Sequence, residues 1–221
     1  MTTLTQAQLQ AKLEGSQTIE EDGYGLKVAR LADGSFLKLF RRKRLLSSSL
    51  WAPPSVRFAR NAARLIALGI PAPVTLDLIV VPELQLNGLQ YEPVAGETLR
   101  SYWRTLTQEQ LPEELFRFGN FLGQLHESGV YFRSLHLGNV LIMPDQEFAL
   151  IDVSDMKIFS RPLSFWQRTR NVQHMVRYKE DTTWLADEHL DSLVQGYAQS
   201  AGNKAAARLN HAFTSRKQAA K

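Results

Sequence analysis

Lys38, Asn139 and Asp152 are the residues whose types and order suit chemistry. Lys38 sits in the alternating run Phe36-Leu37-Lys38-Leu39-Phe40, so as a strand it shares one face with two phenylalanines. Asn139 falls in a loop-like stretch, and Asp152 comes thirteen residues later, at the exit of the apolar run Phe148-Ala-Leu-Ile151. Each has a structural explanation on its own: a strand lysine at a solvated edge, an asparagine as a turn former, an aspartate as a cap. Together they supply an ammonium for nucleotide phosphates and hard oxygen ligands for Mg²⁺, which is what phosphoryl transfer draws on.

Other chemistries find less support. The chain has no cysteine, which removes disulfides, thiolate zinc sites and cysteine nucleophiles and fits a reducing compartment. Histidines 126, 136, 174, 189 and 211 show no metal-ligand spacing, and neither a Gly-x-Ser-x-Gly nor a Walker motif occurs. Lys plus Arg is 26 against 22 for Asp plus Glu, a net charge of +4 that is too scattered to argue nucleic-acid binding. No aromatic interleaving for base stacking accompanies it, so no nucleic-acid partner is expected. Trp51, Trp103, Trp166 and Trp184 are expected to pack cores or lobes.

The elements that must position these residues follow from the pattern. With 221 residues, 44% hydrophobic and 22% charged, the chain is globular and holds one domain or two small lobes. Residues 5–14 read as a short amphipathic helix, followed by a polar, flexible approach over 20–25. Strands 26–31 and 35–40 flank Asp33-Gly34, a hairpin signal. A loop with the basic run 41–44 and serines 47–49 leads to Pro53-Pro54 and a helix over 56–68, capped at Gly69. Strands 74–81 and 88–94 are expected around a turn at Asn87-Gly88. Beyond Gly96 a core helix spans 113–128, where Gly119 and Gly123 permit close approach of another element. A second hairpin pairs 140–143 with 148–151, residues 164–213 are mostly helical, and 216–221 form a frayed tail. The N-terminus lacks the basic start and apolar run of a secretory signal, and no apolar run approaches the ~20 residues that cross a bilayer, so a soluble or peripheral protein is expected.

The run Leu125-His-Glu-Ser-Gly-Val-Tyr-Phe-Arg-Ser-Leu-His-Leu-Gly-Asn139-Val-Leu-Ile, followed by Ala149-Leu-Ile-Asp152, resembles the catalytic segment of the lipopolysaccharide core kinases. That family phosphorylates Kdo or heptose and belongs to the protein-kinase-like superfamily; the chain is also similar to bacterial toluene-tolerance proteins. The likeness extends to Tyr91-Glu-Pro-Val-Ala-Gly-Glu-Thr-Leu99 and Gly69-Ile-Pro-Ala-Pro73, and covers about residues 24–197. It implies an α+β, two-lobed kinase-like fold: an N-terminal helical extension (1–19), a small strand-rich N-lobe (20–96), a helical C-lobe (97–213) and a basic tail (214–221). It also implies ATP and Mg²⁺ as cofactors. Lys38 would hold the α and β phosphates, Asn139 and Asp152 the metal, and the backbone near Glu92 to Val94 the adenine. Gly23-Tyr24-Gly25 stands where a phosphate-covering loop would be and falls short of the glycine-rich pattern.

Two departures from the family matter. Ser134 occupies the place of the catalytic-loop aspartate, five residues before Asn139, and Phe132 replaces the loop's usual histidine. Asn61 stands where a helix acid would pair with the strand lysine, and no acid occurs in 56–68, so Lys38 is expected to lack that partner. His136 and Asp155 are candidate substitutes for the missing base, each set against a structural role: a histidine bonding the loop backbone, and an aspartate capping a turn. General-base help supplies ~10²–10⁴-fold, so its loss would slow transfer rather than abolish it. Basic residues 41–44, Arg161, Arg168, Arg170 and Arg177 suit an anionic lipopolysaccharide core intermediate at the cytoplasmic membrane surface. Two readings result: an ATP-dependent phosphotransferase on a core sugar, cytoplasmic or peripheral at the inner membrane, and a pseudokinase acting as a regulatory or assembly partner.

Overall fold

The computed structural model describes residues 1–41 and 53–219, with side chains through Thr214. Arg42, Lys43, Arg44, the serines 47–49 and Trp51 therefore lie outside the described residues. The protein is α+β, with a strand-rich N-terminal part and a helical C-terminal part. It divides into two compact units, Met1–Val94 with Asp152–Asp155, and Ala95–Ile151 with Met156–Lys221.

The first unit comprises β1 (Thr2–Thr3), α1 (Gln6–Leu13), β2 (Gln17–Asp22), β3 (Gly25–Arg30), β4 (Phe36–Arg41), α2 (Pro54–Ala67), β5 (Val74–Val81) and β6 (Leu86–Glu92). Its sheet runs β1-β5-β6-β4-β3-β2, with β1 parallel to β5 and the other pairs antiparallel. Leu37 and Leu39 of β4 alternate into a core shared with Leu9, Leu31, Ile79, Val81 and Leu86. Leu9 belongs to α1, which Thr5 caps through a reciprocal box with Gln8. The N-terminal 19 residues, expected as an extension, thus contribute a strand and a core leucine to this unit. In α2, Phe58, Asn61, Ala62 and Leu65 are buried at helical spacing.

Two local expectations differ. The polar approach at 20–25 is strand β2 and its turn; all its residues are exposed, so backbone pairing to β3 holds it and no apolar alternation marks it. The turn between β5 and β6 is a 3₁₀ turn at Pro82–Leu84 closed by Gln85 at φ +51°, while Asn87 and Gly88 pair inside β6. Gly88 serves packing instead: a Cβ there would lie 2.8 Å from Leu39 Cδ2.

The second unit comprises β7 (Glu97–Thr98), α3 (Leu99–Thr105), α4 (Leu111–Glu127), β8 (Val130–Phe132), β9 (Val140–Ile142), β10 (Phe148–Leu150), β11 (Met156–Ile158), α5 (Phe165–Met175), α6 (Lys179–Thr182), a π-helical turn (Thr183–Glu188), α7 (Leu190–Ala201) and α8 (Asn203–Ala219). Helices α4 and α7 touch backbone to backbone: a Cβ on Gly119 would lie 2.1 Å from Leu193 O, and one on Gly196 would lie 1.8 Å from Phe116 O. Trp103 is buried edge-on against Phe118 and Trp184, as expected, whereas Trp166 is 66% exposed. Of the tail expected to fray, residues 216–219 continue α8, and 220–221 lie outside the described residues. Among the described residues no helix is long and apolar enough to cross a membrane.

Candidate functional site

In the first unit β4 fixes Lys38 by alternation. Its neighbours Leu37 and Leu39 are drawn into the core, so Lys38 emerges on the opposite face, where its Nζ lies 5.8 Å from the Phe40 ring centroid. Nζ also lies 2.7 Å from Asp152 Oδ1, and the lysine side chain is 14% exposed against 43% for the aspartate. Lys38 thus has an ion-pair partner, although it is not the helix acid that the sequence lacks over 56–68. Its partner is the carboxylate after β10 rather than an acid on α2.

Asp152 sits at φ +54°, a left-handed conformation that aspartate tolerates better than most residues. The 3₁₀ turn Val153–Asp155 follows it. Asn61, 1% exposed on α2, donates Nδ2–H to the Val153 carbonyl at 2.8 Å. A residue expected at the lysine's partner position thus tethers the backbone next to the lysine's actual partner. Tyr91 packs between Phe36 and Phe58, with centroids at 5.8 and 5.3 Å, and its phenol is pushed upward by burial first and then by the Asp152 charge. Asp155 is half-buried at the end of the turn.

Glu92 is the exposed last residue of β6, paired with Val74, and Val94 is half-buried two residues on. Gly23 and Tyr24 form a two-residue hairpin turn closed by the pair Asp22 and Gly25. Asp22 Oδ1 accepts the Tyr24 N–H at 2.9 Å, Arg41 donates to the Tyr24 carbonyl, and the tyrosine ring is 79% exposed.

In the second unit the loop after β8 is held by its own backbone. Phe132, buried in β8, accepts the Leu135 N–H and the Asn171 Nδ2–H through its carbonyl. The Ser134 carbonyl accepts Asn139 Nδ2–H at 2.9 Å, which commits the asparagine nitrogen and leaves Oδ1 without a hydrogen bond among the described residues. The Asn139 carbonyl accepts the N–H of Ile151, the residue before Asp152. His136 Nδ1 accepts the Gly138 N–H at 3.1 Å, and the ring stands edge-on to Tyr178 at 5.0 Å. Nδ1 thus bonds the loop backbone, the structural role weighed for it from sequence.

Asp181, fully buried on α6, is a loop anchor that motif reading missed. It takes Arg100 Nε and Nη2 at 2.8 and 2.9 Å and also accepts the Leu137 N–H at 3.1 Å. The Arg100 guanidinium is raised further by that hydrogen bond, and it lies 4.6 Å from the Tyr178 ring centroid. Lys179-Glu-Asp-Thr182 carries no sign separating Asp181 from Glu180, which pairs with Arg104. Only the burial of one of the two distinguishes them.

Among the described residues no group of three His, Cys, Asp or Glu is placed to hold a metal. An octahedral Mg²⁺ needs less, since it keeps several waters and takes one or two protein carboxylates or amides plus substrate phosphates. The Asp152 carboxylate and the unoccupied Asn139 Oδ1 have that donor chemistry. Arg168, expected to face an anionic acceptor, is committed inside the unit: it donates to the Leu163 carbonyl, the Tyr197 hydroxyl and Glu127, and its side chain is 12% exposed. No protein-family model matches the chain, and no curated protein matches it at significant similarity.

Proposed function

We propose that the protein is an ATP- and Mg²⁺-dependent phosphotransferase acting on a lipopolysaccharide core sugar, Kdo or heptose, at the cytoplasmic face of the inner membrane. The single observation that carries this reading is the Lys38–Asp152 ion pair, 2.7 Å long, between a strand lysine and the carboxylate that follows a short hairpin. An ammonium has three donors, so one is satisfied by Asp152 and two remain for the α and β phosphates. Asp152 and Asn139 would hold Mg²⁺, which when bound neutralises charge on the transferring phosphoryl group. The backbone between Glu92 and Val94 would meet the adenine. Transfer through a loose transition state relies on this positioning and neutralisation, so a chain with Ser134 in place of the aspartate retains slow turnover.

Ser134 is also the observation that favours a second reading, a pseudokinase that binds nucleotide, or nothing, and acts as a regulatory or assembly partner in envelope biosynthesis. Thermal unfolding with and without Mg-ATP tests the first. Ligand at 100 times its dissociation constant adds ~2.7 kcal/mol to stability. A shift in the parent that vanishes in Asp152→Ala, with transfer of labelled γ-phosphate to purified core oligosaccharide, supports the phosphotransferase. A shift without transfer supports the nucleotide-binding pseudokinase, and no shift removes ATP from the account.

A further inference from the structure

Charge in the second unit is segregated along the chain. Residues 156–178 contain Lys157, Arg161, Arg168, Arg170 and Arg177 and no acid, and residues 203–221 contain Lys204, Arg208, Arg216, Lys217 and Lys221 and no acid. Within these segments, residues 163–169 and 204–209 of α5 and α8 and their approaches line one open cavity of ≈ 280 Å³. Its wall is mixed, apolar from Leu163, Phe165, Ala205 and Leu209 and polar from Arg168 and Thr169, and Lys204 and Arg208 stand on it, both exposed. Beside it Phe165 and Trp166, adjacent in the chain, are 45% and 66% exposed. The Arg208 guanidinium lies 5.3 Å from the Phe165 centroid and that of Arg170 lies 5.8 Å from the Trp166 centroid. None of Arg170, Lys204 and Arg208 pairs with a carboxylate among the described residues.

We propose that this α5–α8 face docks on an anionic lipid bilayer. Exposed aromatics that prefer the headgroup boundary, beside cations that no carboxylate neutralises, are the chemistry of an interfacial site. Nucleic acid fits less well, since base stacking needs open ring faces and here each ring carries a guanidinium. The surface does not depend on phosphoryl transfer, and it differs from the cations expected from sequence: Arg168 is committed internally, while Lys204 and Arg208 take its place.

The test is co-sedimentation with vesicles of equal parts phosphatidylcholine and phosphatidylglycerol, against phosphatidylcholine alone. The protein pellets with the anionic vesicles only, and Trp166 fluorescence shifts to the blue on binding, a shift absent in Trp166→Phe. Lys204→Gln with Arg208→Gln lowers the partition coefficient on the order of 30-fold, about five-fold for each charge removed. Both side chains are exposed, so an unchanged melting temperature shows the variant is folded. Asp152→Ala partitions like the parent, which separates this surface from the phosphotransferase reading. Inorganic phosphate at matched ionic strength does not displace the protein, which separates a lipid surface from a simple anion site. Equal binding to neutral vesicles, no loss in the double variant, displacement by phosphate, or tighter binding to a single-stranded oligonucleotide would each overturn the proposal.

Discussion

Lys38 Nζ lies 2.7 Å from Asp152 Oδ1 although 114 residues separate them, and Asn61 holds the residue after that aspartate by its carbonyl. The ion pair is half-wet and contributes little to stability; the tether is dry and contributes more.

Lys38→Met keeps the aliphatic stem and removes the charge. Because Asp152 is 43% exposed, water takes over its carboxylate, so stability changes by no more than about 1 kcal/mol in urea titration. On the proposed nucleotide role, Mg-ATP raises the melting temperature of the parent and not of this variant. A variant that keeps the rise shows that Lys38 does not meet the nucleotide.

Asn61→Ala leaves the Val153 carbonyl without its donor and costs about 1–3 kcal/mol. Asn61→Asp costs more, because it buries a carboxylate against a carbonyl oxygen. Urea unfolding orders the two variants. Equal losses would mean that packing volume rather than the hydrogen bond matters at this position.

Asp181→Ala removes a fully buried carboxylate from under Arg100 and the Leu137 amide, with an expected loss of about 3–5 kcal/mol. Hydrogen exchange localises the effect: the Leu137 amide loses protection more than amides of α4 do. Arg100→Ala reproduces part of the loss, and the double variant costs less than the two added together.

His126 is buried and neutral, its Nδ1 2.9 Å from the Tyr197 hydroxyl, which also accepts from Arg168 and so gives its proton to the imidazole. Burial, and then the Arg168 charge, push the imidazole down to about 3 from its usual 6.5. The unfolded chain therefore binds a proton between those values that the folded chain refuses, so this contribution is complete above pH 6.5 and is lost as pH falls toward 3. Between pH 8 and pH 5 it declines by about 2 kcal/mol. His126→Gln has a flatter stability profile than the parent over that range. Parallel profiles would show that the histidine titrates normally.

Ser134→Asp places a carboxylate where the resemblance puts the catalytic base. The Ser134 contact with Asn139 runs through its carbonyl, so the substitution leaves that bond in place. On the proposed phosphotransferase reading, the rate of phosphate transfer rises by up to ~10²–10⁴-fold. No transfer by either protein, measured with labelled ATP, favours the pseudokinase reading.

Asn61 and Asp181 mark the limit of what could be read in advance. Asn61 was legible as a helix residue and as a departure from an acid, and its partner was not, because a side-chain amide bonds equally well to a lysine, a carbonyl or water. Asp181 had no legible sign at all. The turn at Pro82–Leu84 was misplaced because Asn87-Gly88 has turn composition, and only the packing of Leu39 on Gly88 requires the glycine within the strand.

The amino-acid order by itself determined the periodic features: a strand that holds Lys38 between two phenylalanines, an Asp33-Gly34 hairpin, a long apolar-striped helix with glycines at its contact face, and a short hairpin ending at Asp152. Each is set by neighbours within a few residues, through alternation, helical spacing or a turn. Tertiary structure decided which charges meet, which carboxylate is dry and which cations meet no carboxylate among the described residues. Those outcomes depend on the register and packing of segments far apart in the chain, and no local pattern encodes them.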